Sequence, residues 1–336
     1  MAKSSRATLI DVARRAGVAK TTASDALSGS GRVAASTRQA VLAAAEQLGY
    51  VPNHAARHLR RASTGAIGLH VPERIHRSSY YMSFVFGALD VAATRDHDVT
   101  MFTGSGSDYR SRLPRVDGVV LSDPVRDDPL IDHLREVGLP AVTCERVAGG
   151  TPADGTVWSR HDEGVRDLLD ELAASGANRP GMIVPADEWD WSASLTRGYT
   201  SWCEDHDTPV RIERIPFESP ADDVRAAARR LLERDPAIDA VVCGPDGTAA
   251  QVLPELRALE RRVGEDVLLA SCVDGPLMQV ADPPITAIDL RPRDAGSRCA
   301  DLLFSLISGE AEPGTEIIHP TELVVRASSR GLGRTP

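Results

Sequence analysis

Residues 20–25 read KTTASD and crowd Lys20, Thr21, Thr22, Ser24 and Asp25 into six positions. Lysine and small hydroxyls are hydrogen-bond donors suited to phosphate oxygens, and they are poor material for a core. Asp25 is the odd member, because a carboxylate on that exposed face can only accept. Catalytic chemistry has less behind it. His161 beside Asp162 and Glu163 reads as solvated charge at a helix start, and no GxSxG nucleophile motif occurs. GSGSDYR (104–110) has alternating glycines without a GxGxxG fingerprint or a following helix, so it is not a phosphate cradle. The five cysteines, at 144, 203, 243, 272 and 299, form no CxxC pair and have no histidine at metal-ligand spacing. They read as buried free thiols in a reduced, cytoplasmic setting, with no metal or cofactor called for.

Charge separates the chain into two parts. Residues 1–61 hold ten bases against three acids, a net +7, which leaves −17 for residues 62–336. A basic head on an acidic body predicts a polyanion partner for the head alone. With 336 residues and 42% hydrophobic content, the chain can bury two or three cores. No apolar run reaches the roughly 18–20 residues of a membrane span, and the first fifteen residues hold no apolar signal-peptide core.

The elements that position the polar cluster are short helices. Thr8 with Asp11 is a capping-box start, and Leu9, Val12, Ala13 and Ala16 follow at helical spacing up to Gly17, the left-handed stop. A second helix is predicted from about Lys20 to Leu27, burying Ala23 and Leu27. Ser36 with Gln39 reads as a capping box for a third helix through Leu48, ended by Gly49. Helix, glycine turn, helix and a bracing third helix make a helix-turn-helix. Pro52 stops the third helix, and Asn53 caps a short helix to about Arg61 with one large apolar side chain, Leu59. That helix is too short to stand alone.

TLIDVARRAGV, the S-T-R opening of the third helix, LGYVPN, AARHLRR and the C-terminal PTELVVRASSRG together resemble the LacI/GalR family of transcription regulators. The similarity extends over essentially the whole chain. It implies a homodimer on a pseudo-palindromic operator in double-stranded DNA, with recognition helices in the major groove and hinge helices in the minor groove, Leu59 wedged into the central base step. Lys20, Thr21 and Asp25 match the family's base-reading positions. Thr22, Ser24, Ser28, Arg32, Thr37 and Asn53 match its phosphate-side positions, and Ala56, Arg57, Leu59 and Arg60 fall on the hinge and its minor-groove surface. Asp25 departs from the family's usual Arg. Either it accepts from the amino group of cytosine, or it pairs with Lys20 or Arg32 and reads nothing.

From Ala66 onward strand and helix patterns alternate: AIGLHVP, SFVFGALDVAATRDH, VTMFTG, VDGVVLS, DDPLIDHLREVG, PAVTCE, and so on to DVLLASC. The fold class is therefore α/β, with parallel doubly wound sheets in two subdomains and a ligand cleft at the strand C-ends. By resemblance this body is the family's core, itself similar to periplasmic sugar-binding proteins, with the chain crossing between subdomains near residues 160, 290 and 322. The expected organisation is a head (1–52), a hinge (53–64) and a core (65–336). The first subdomain takes about 65–160 and 291–322, the second about 161–290 and 323–336. The segment 103–115 is too short for the usual crossover helix.

The cleft departs from the family most. The Arg of its R-x-x-G-[FY] pattern, three residues before the Gly, is Leu195, with Arg197 displaced to the residue before Gly198. The Asp of G-F-D-D is Val273, leaving Asp274. The Asn of A-N-D is Pro245, leaving Asp246, and the D-N pair is Arg160–His161. Tyr80, Tyr81 and Phe217 match the aromatic lining, with Trp189 and Trp191 nearby. Stacking surfaces without hydroxyl-gripping partners predict an effector that is not a sugar, and Arg160 with Arg197 would favour an acidic group. The reading is a cytoplasmic, effector-modulated DNA-binding repressor and not an enzyme. A cytoplasmic solute-binding protein, or a regulator that needs no effector, is the alternative.

Overall fold

The computed structural model describes residues 7–28, 33–50, 63–71, 78–104, 113–186, 188–217 and 219–331. The chain falls into two compact units, residues 1–64 and 65–336.

In the first unit, α1 (Leu9–Arg15), α2 (Lys20–Ser28) and α3 (Ala35–Gln47) pack around Val12, Ala13, Ala23, Ala26, Val41, Ala44 and Ala45. Five of those seven are alanines, so the helices approach closely around a thin core. Thr8 and Asp11 close a reciprocal capping box at the start of α1, with the Asp11 carboxylate accepting from the Thr8 backbone N–H at 3.0 Å. Those Thr8 bonds hold the Asp11 carboxyl below its ordinary range. Gly17 and Gly49 take the left-handed conformation, φ +66° and +58°, where a side chain is strained. The third helix differs from expectation at its start. It begins at Ala35 behind Ala34, whose extended backbone makes it the N-cap, so Ser36 and Gln39 fall inside the helix and form no box. The hinge predicted at 53–61 lies outside the described residues.

The second unit holds two six-stranded sheets. The first has the order β11 (Thr315–Ile318), β5 (Gly155–Trp158), β4 (Ala141–Cys144), β3 (Val119–Ser122), β1 (Ala66–His70), β2 (Asp98–Phe102). All its pairings are parallel. The second has the order β12 (Glu322–Val324), β10 (Thr286–Asp289), β9 (Leu268–Ser271), β8 (Ala240–Cys243), β6 (Pro180–Pro185), β7 (Ile212–Ile215), with β12 antiparallel to β10.

Alternate residues of each inner strand feed opposite faces. In the second sheet Met182, Val184, Ala240 and Val242 meet α6 (His161–Ala174) and α7 (Asp190–Asp205). Ile183, Val241 and Cys243 meet α8 (Ala221–Arg234) and α9 (Thr248–Ala258). In the first sheet Ile67, Leu69, Val120 and Val142 pack under α4 (Ser79–Thr94) and α11 (Pro292–Ser308), whereas Val119, Leu121 and Ala141 pack on α5 (Pro129–Glu136). A short α10 (Pro276–Val280) completes the second half.

The chain passes between the halves after β5, after β10 and after β11. Two of these crossings are tied by His319 Nε2, 3.0 Å from the Leu290 carbonyl. Residues 105–112, most of the segment read as too short for a helix, lie outside the described residues, and no helix occurs among its described neighbours.

Candidate functional site

In both halves of the core the strand C-ends open onto one cavity of about 490 Å³. Doubly wound sheets bind ligands there because loops and helix N-termini converge beyond the last strand residues. From the first half come Tyr80 and Tyr81 in the opening turn of α4, Asp123 just past β3, and Glu145 just past β4. From the second come His161 at the start of α6, Trp191 and Leu195 on α7, Phe217 beyond β7, Asp246 between β8 and α9, Gln251 on α9, and Val273 and Leu290 past β9 and β10.

One wall is aromatic. The Trp189 and Trp191 rings flank Phe217 with centroids 4.9 and 5.5 Å away. From the first half, Tyr80 sits edge-on to Tyr81 at 5.4 Å and packs against the same apolar cluster. Among the described residues that line this cavity, three carry a buried polar atom with no hydrogen bond: His161 Nε2, Trp191 Nε1, a donor, and Gln251 Oε1, an acceptor. His161 Nε2 faces Glu145 at 3.1 Å, whereas the last two have no polar partner at all. An unpaired buried polar atom costs roughly 1–3 kcal/mol, so a ligand that satisfies both gains that much back.

The remaining polar groups are acidic. Tyr81 donates to Asp123 at 2.5 Å. Burial pushes the Asp123 carboxyl up to about 7, with Tyr81 working against the rise and Glu145 adding to it. Glu145 accepts from the Ser159 backbone N–H at 3.3 Å and lies 3.1 Å from His161 Nε2. Burial alone would push the His161 imidazole down, but Glu145 beside it raises it instead. Asp123 and Glu145 both have positive φ, +47° and +75°, without being glycine. Such backbone is costly for a side-chain-bearing residue and clusters at ligand clamps.

Asp246 spans the cleft. Helix α4 has no side-chain cap of its own. Its N-cap residue, Ser78, donates to Asp246 at 2.7 Å instead. The same carboxylate takes backbone N–H bonds from Tyr80, Gly247 and Ser79, which oppose the rise that burial imposes on its pKa. A residue of the second half thus supplies the N-cap for a helix of the first.

Of the residues nominated from sequence, Tyr80, Tyr81, Trp191, Leu195, Phe217, Asp246 and Val273 line the cavity. Three do not. Arg160 is exposed and donates to Glu163 one turn along at 2.6 Å. Arg197 is exposed and donates to Ser194 at 3.1 Å. Asp274 is held by Arg326 in a two-pronged pair at 2.7 and 2.8 Å, which takes both its oxygens out of play. The expected preference for an acidic ligand therefore reverses, since three carboxylates and no Lys or Arg line the cavity among the described residues. His161, read as solvated, is 7% exposed, because α6 starts directly under the first crossing and faces Glu145. Asp123, Glu145 and Gln251 were missed. The available signal was an acid directly following an apolar strand, in VVLSD and AVTCE.

In the head, Lys20 and Thr21 are exposed, and Thr22, Ser24, Asp25 and Thr37 are half-buried. Arg32, Asn53, Ala56, Arg57, Leu59, Arg60 and the side chain of Ser28 lie outside the described residues. The five cysteines are all buried and free. Among the described residues no group of ligating side chains could hold a metal, and no helix is long and apolar enough to cross a membrane.

Two family models match the chain: bacterial regulatory proteins, lacI family, over residues 8–53, and a periplasmic binding protein-like domain over residues 169–329. The HTH-type transcriptional regulator CelR of Thermobifida fusca is 32% identical, over 98% of this chain and all of its own length. The chain belongs to the LacI family. It is a DNA-binding transcription regulator with a helix-turn-helix head and an effector-binding core. The chain is also similar to the probable HTH-type transcriptional repressor ExuR of Bacillus subtilis, 27% identical over 97% of this chain and 99% of that one.

Among solved structures, a CelR–cellobiose complex superposes with TM-score 0.72 at 30% identity, covering 96% of this chain and all of that one. The lac repressor dimer bound to operator and an anti-inducer shares the fold, with TM-score 0.81 at 23% identity over 97% of this chain and 99% of that one. The expectation that this LacI-family regulator takes a non-sugar effector finds no support. It rested on lost family positions, whereas this cavity draws polar groups from Asp123, Glu145, His161 and Gln251 instead.

Proposed function

We propose that this regulator is a cytoplasmic homodimeric repressor of a pseudo-palindromic operator, and that a disaccharide-sized, hydroxyl-bearing effector in the core cavity modulates its DNA affinity. The observation that carries the effector reading is the pairing of an aromatic wall with two buried, unpartnered atoms of opposite character, Trp191 Nε1 and Gln251 Oε1. A sugar ring presents an apolar face to stack and hydroxyls that both donate and accept. The cavity's volume, about 490 Å³, falls within the range that encloses small ligands. The relative CelR, solved with cellobiose, supports the same class.

On DNA, Lys20, Thr21 and Asp25 are the proposed base readers. Thr22, Ser24, Ser28, Arg32, Thr37 and Asn53 contact phosphates, while Ala56, Arg57, Leu59 and Arg60 act in the minor groove from a hinge at 53–64. The head (1–52) supplies the reading surface and the core (65–336) the effector site and dimer contacts. The net +7 of residues 1–61 supports a salt-dependent grip on phosphates.

The test is a gel shift on an operator selected from genomic fragments, titrated with neutral mono- and disaccharides and paired with thermal melts. A disaccharide that raises the melting temperature and changes the retained DNA is expected. If no saccharide moves either quantity, the effector reading is wrong. If deleting residues 1–61 leaves operator binding intact, the DNA reading is wrong.

A further inference from the structure

We propose that the effector carries a protonated amine besides its hydroxyls, and that Asp123 is the amine's counter-ion. This rests on the saccharide reading above and narrows it to an amino sugar.

The charge inventory of the cavity carries the inference. Asp123, Glu145 and Asp246 line it, and among the described residues His161 is the one basic side chain that does. His161 lies 3.1 Å from Glu145 and offsets that carboxylate. Asp246 is held by Ser78 and by backbone N–H groups of the α4 N-terminus, where the helix dipole also favours negative charge. Asp123 is offset only weakly, because His161 acts on it through space and makes its close contact with Glu145 instead. Among the described residues its carboxylate accepts from the neutral Tyr81 hydroxyl, and its backbone is held at positive φ. The residue is thus kept in a costly conformation at the end of β3, with no cation in direct contact and its charge only partly matched by His161. A neutral ligand leaves that charge to be cancelled by a proton. An ammonium group cancels it directly, and opposite charges within about 4–6 Å shift such equilibria by one to three decades.

The aromatic wall and the orphan Trp191 Nε1 are independent signs that a ligand occupies this space. Tyr80 and Tyr81 on α4, Cys144 and Glu145 at the end of β4, and His161 on α6 face Asp123. Asp246 and Asp190 act on those neighbours. None of these is a lysine or arginine.

The sign of the pH dependence follows. With the Asp123 carboxyl pushed up to about 7, the free protein binds a proton there at lower pH. An amine must displace that proton, so its affinity falls as pH drops below 7, by up to about tenfold per unit. A neutral sugar has no such competition.

The test compares cellobiose with the β-1,4-linked dimer of glucosamine, which carries an amine on each ring where cellobiose carries the C2 hydroxyl. Calorimetric titration of the full-length wild type at pH 7 is expected to show the amino dimer binding at least tenfold tighter. That advantage should shrink at least tenfold by pH 5.5, while cellobiose stays within twofold. In Asp123→Asn, which keeps an acceptor for Tyr81, both the preference and its pH dependence should vanish. Equal binding of the two sugars, or tighter cellobiose, overturns the amine proposal and leaves the saccharide reading standing. If neither sugar binds, both readings fall. If Asp123→Asn does not fold, the wild-type pH series decides alone.

Discussion

Replacing Asp246 by alanine tests the cross-cleft cap. The carboxylate accepts from Ser78 Oγ at 2.7 Å and from the N–H groups of Ser79, Tyr80 and Gly247. Loss of an N-cap costs about 1 kcal/mol, and a hydrogen bond to a charged group contributes about 1.5–3 kcal/mol. Two offsets apply. Burial already works against the Asp246 charge, so alanine recovers some desolvation cost, and the freed N–H groups face a cavity that water can fill. About 1–2 kcal/mol then remains, lost specifically from the opening turn of α4 and from the link between the two halves of the core. One such loss is roughly a tenfold change in a two-state opening equilibrium.

Hydrogen exchange read by NMR should therefore show the Ser79 and Tyr80 amides of the ligand-free variant exchanging about tenfold faster, with β4 and β8 unchanged. Tyr80 and Tyr81, which that turn carries into the cavity, should bind effector more weakly. Asp246→Asn keeps one acceptor oxygen and should fall between the two. Wild-type exchange at residues 79 and 80 in Asp246→Ala would refute the cap, whatever the effector proves to be.

Gly87→Ala should destabilise the core by about 3 kcal/mol or more in urea melts, because a Cβ there overlaps the Arg293 backbone carbonyl where α4 crosses α11; a loss under about 1 kcal/mol would mean the helices can part freely. Thr8→Ala should lower the stability of the head by about 1 kcal/mol by opening its capping box, seen as an earlier melt of an isolated residue 1–64 fragment. Asp25→Arg should change the preferred base at one position per half-site by roughly 1–3 kcal/mol in selection from random DNA, and an unchanged preference would show that Asp25 is no reader. Asp123→Asn should stabilise the ligand-free protein at pH 7.5 by about 2 kcal/mol and lose that advantage toward pH 4. A carboxyl raised to about 7 binds protons more tightly folded than unfolded, so wild-type stability declines as pH rises from about 4 to 7, and the amide does not titrate. A melting-temperature difference independent of pH would contradict this.

Local chemistry alone determined the head. Thr8 and Asp11 cap α1, Gly17 stops it, and alanines at helical spacing bring three short helices together, so neighbouring residues in the chain decide the outcome. Ser36 misled because a helix start is set by backbone dihedrals as well as side chains, and Ala34 took the cap. In the core, the alternation of apolar strands and amphipathic helices was enough to specify parallel sheets, since each segment's period already states which faces it buries. The family motifs then pointed to Tyr80, Tyr81, Trp191, Leu195, Phe217, Asp246 and Val273, all of which line the cavity.

Tertiary structure alone decided the sign of the cavity's charge. Arg160 and Arg197 turn outward to partners three residues away, and Arg326, more than fifty positions along the chain, neutralises Asp274. Asp123, Glu145 and Gln251 enter because three crossings bring the strand ends of two sheets to one space, and positive φ at Asp123 and Glu145 accompanies their place in its lining. Periodicity reports which face a residue occupies within its own element. Which charges share a cavity depends on elements that meet only after folding, and no local pattern encodes that meeting.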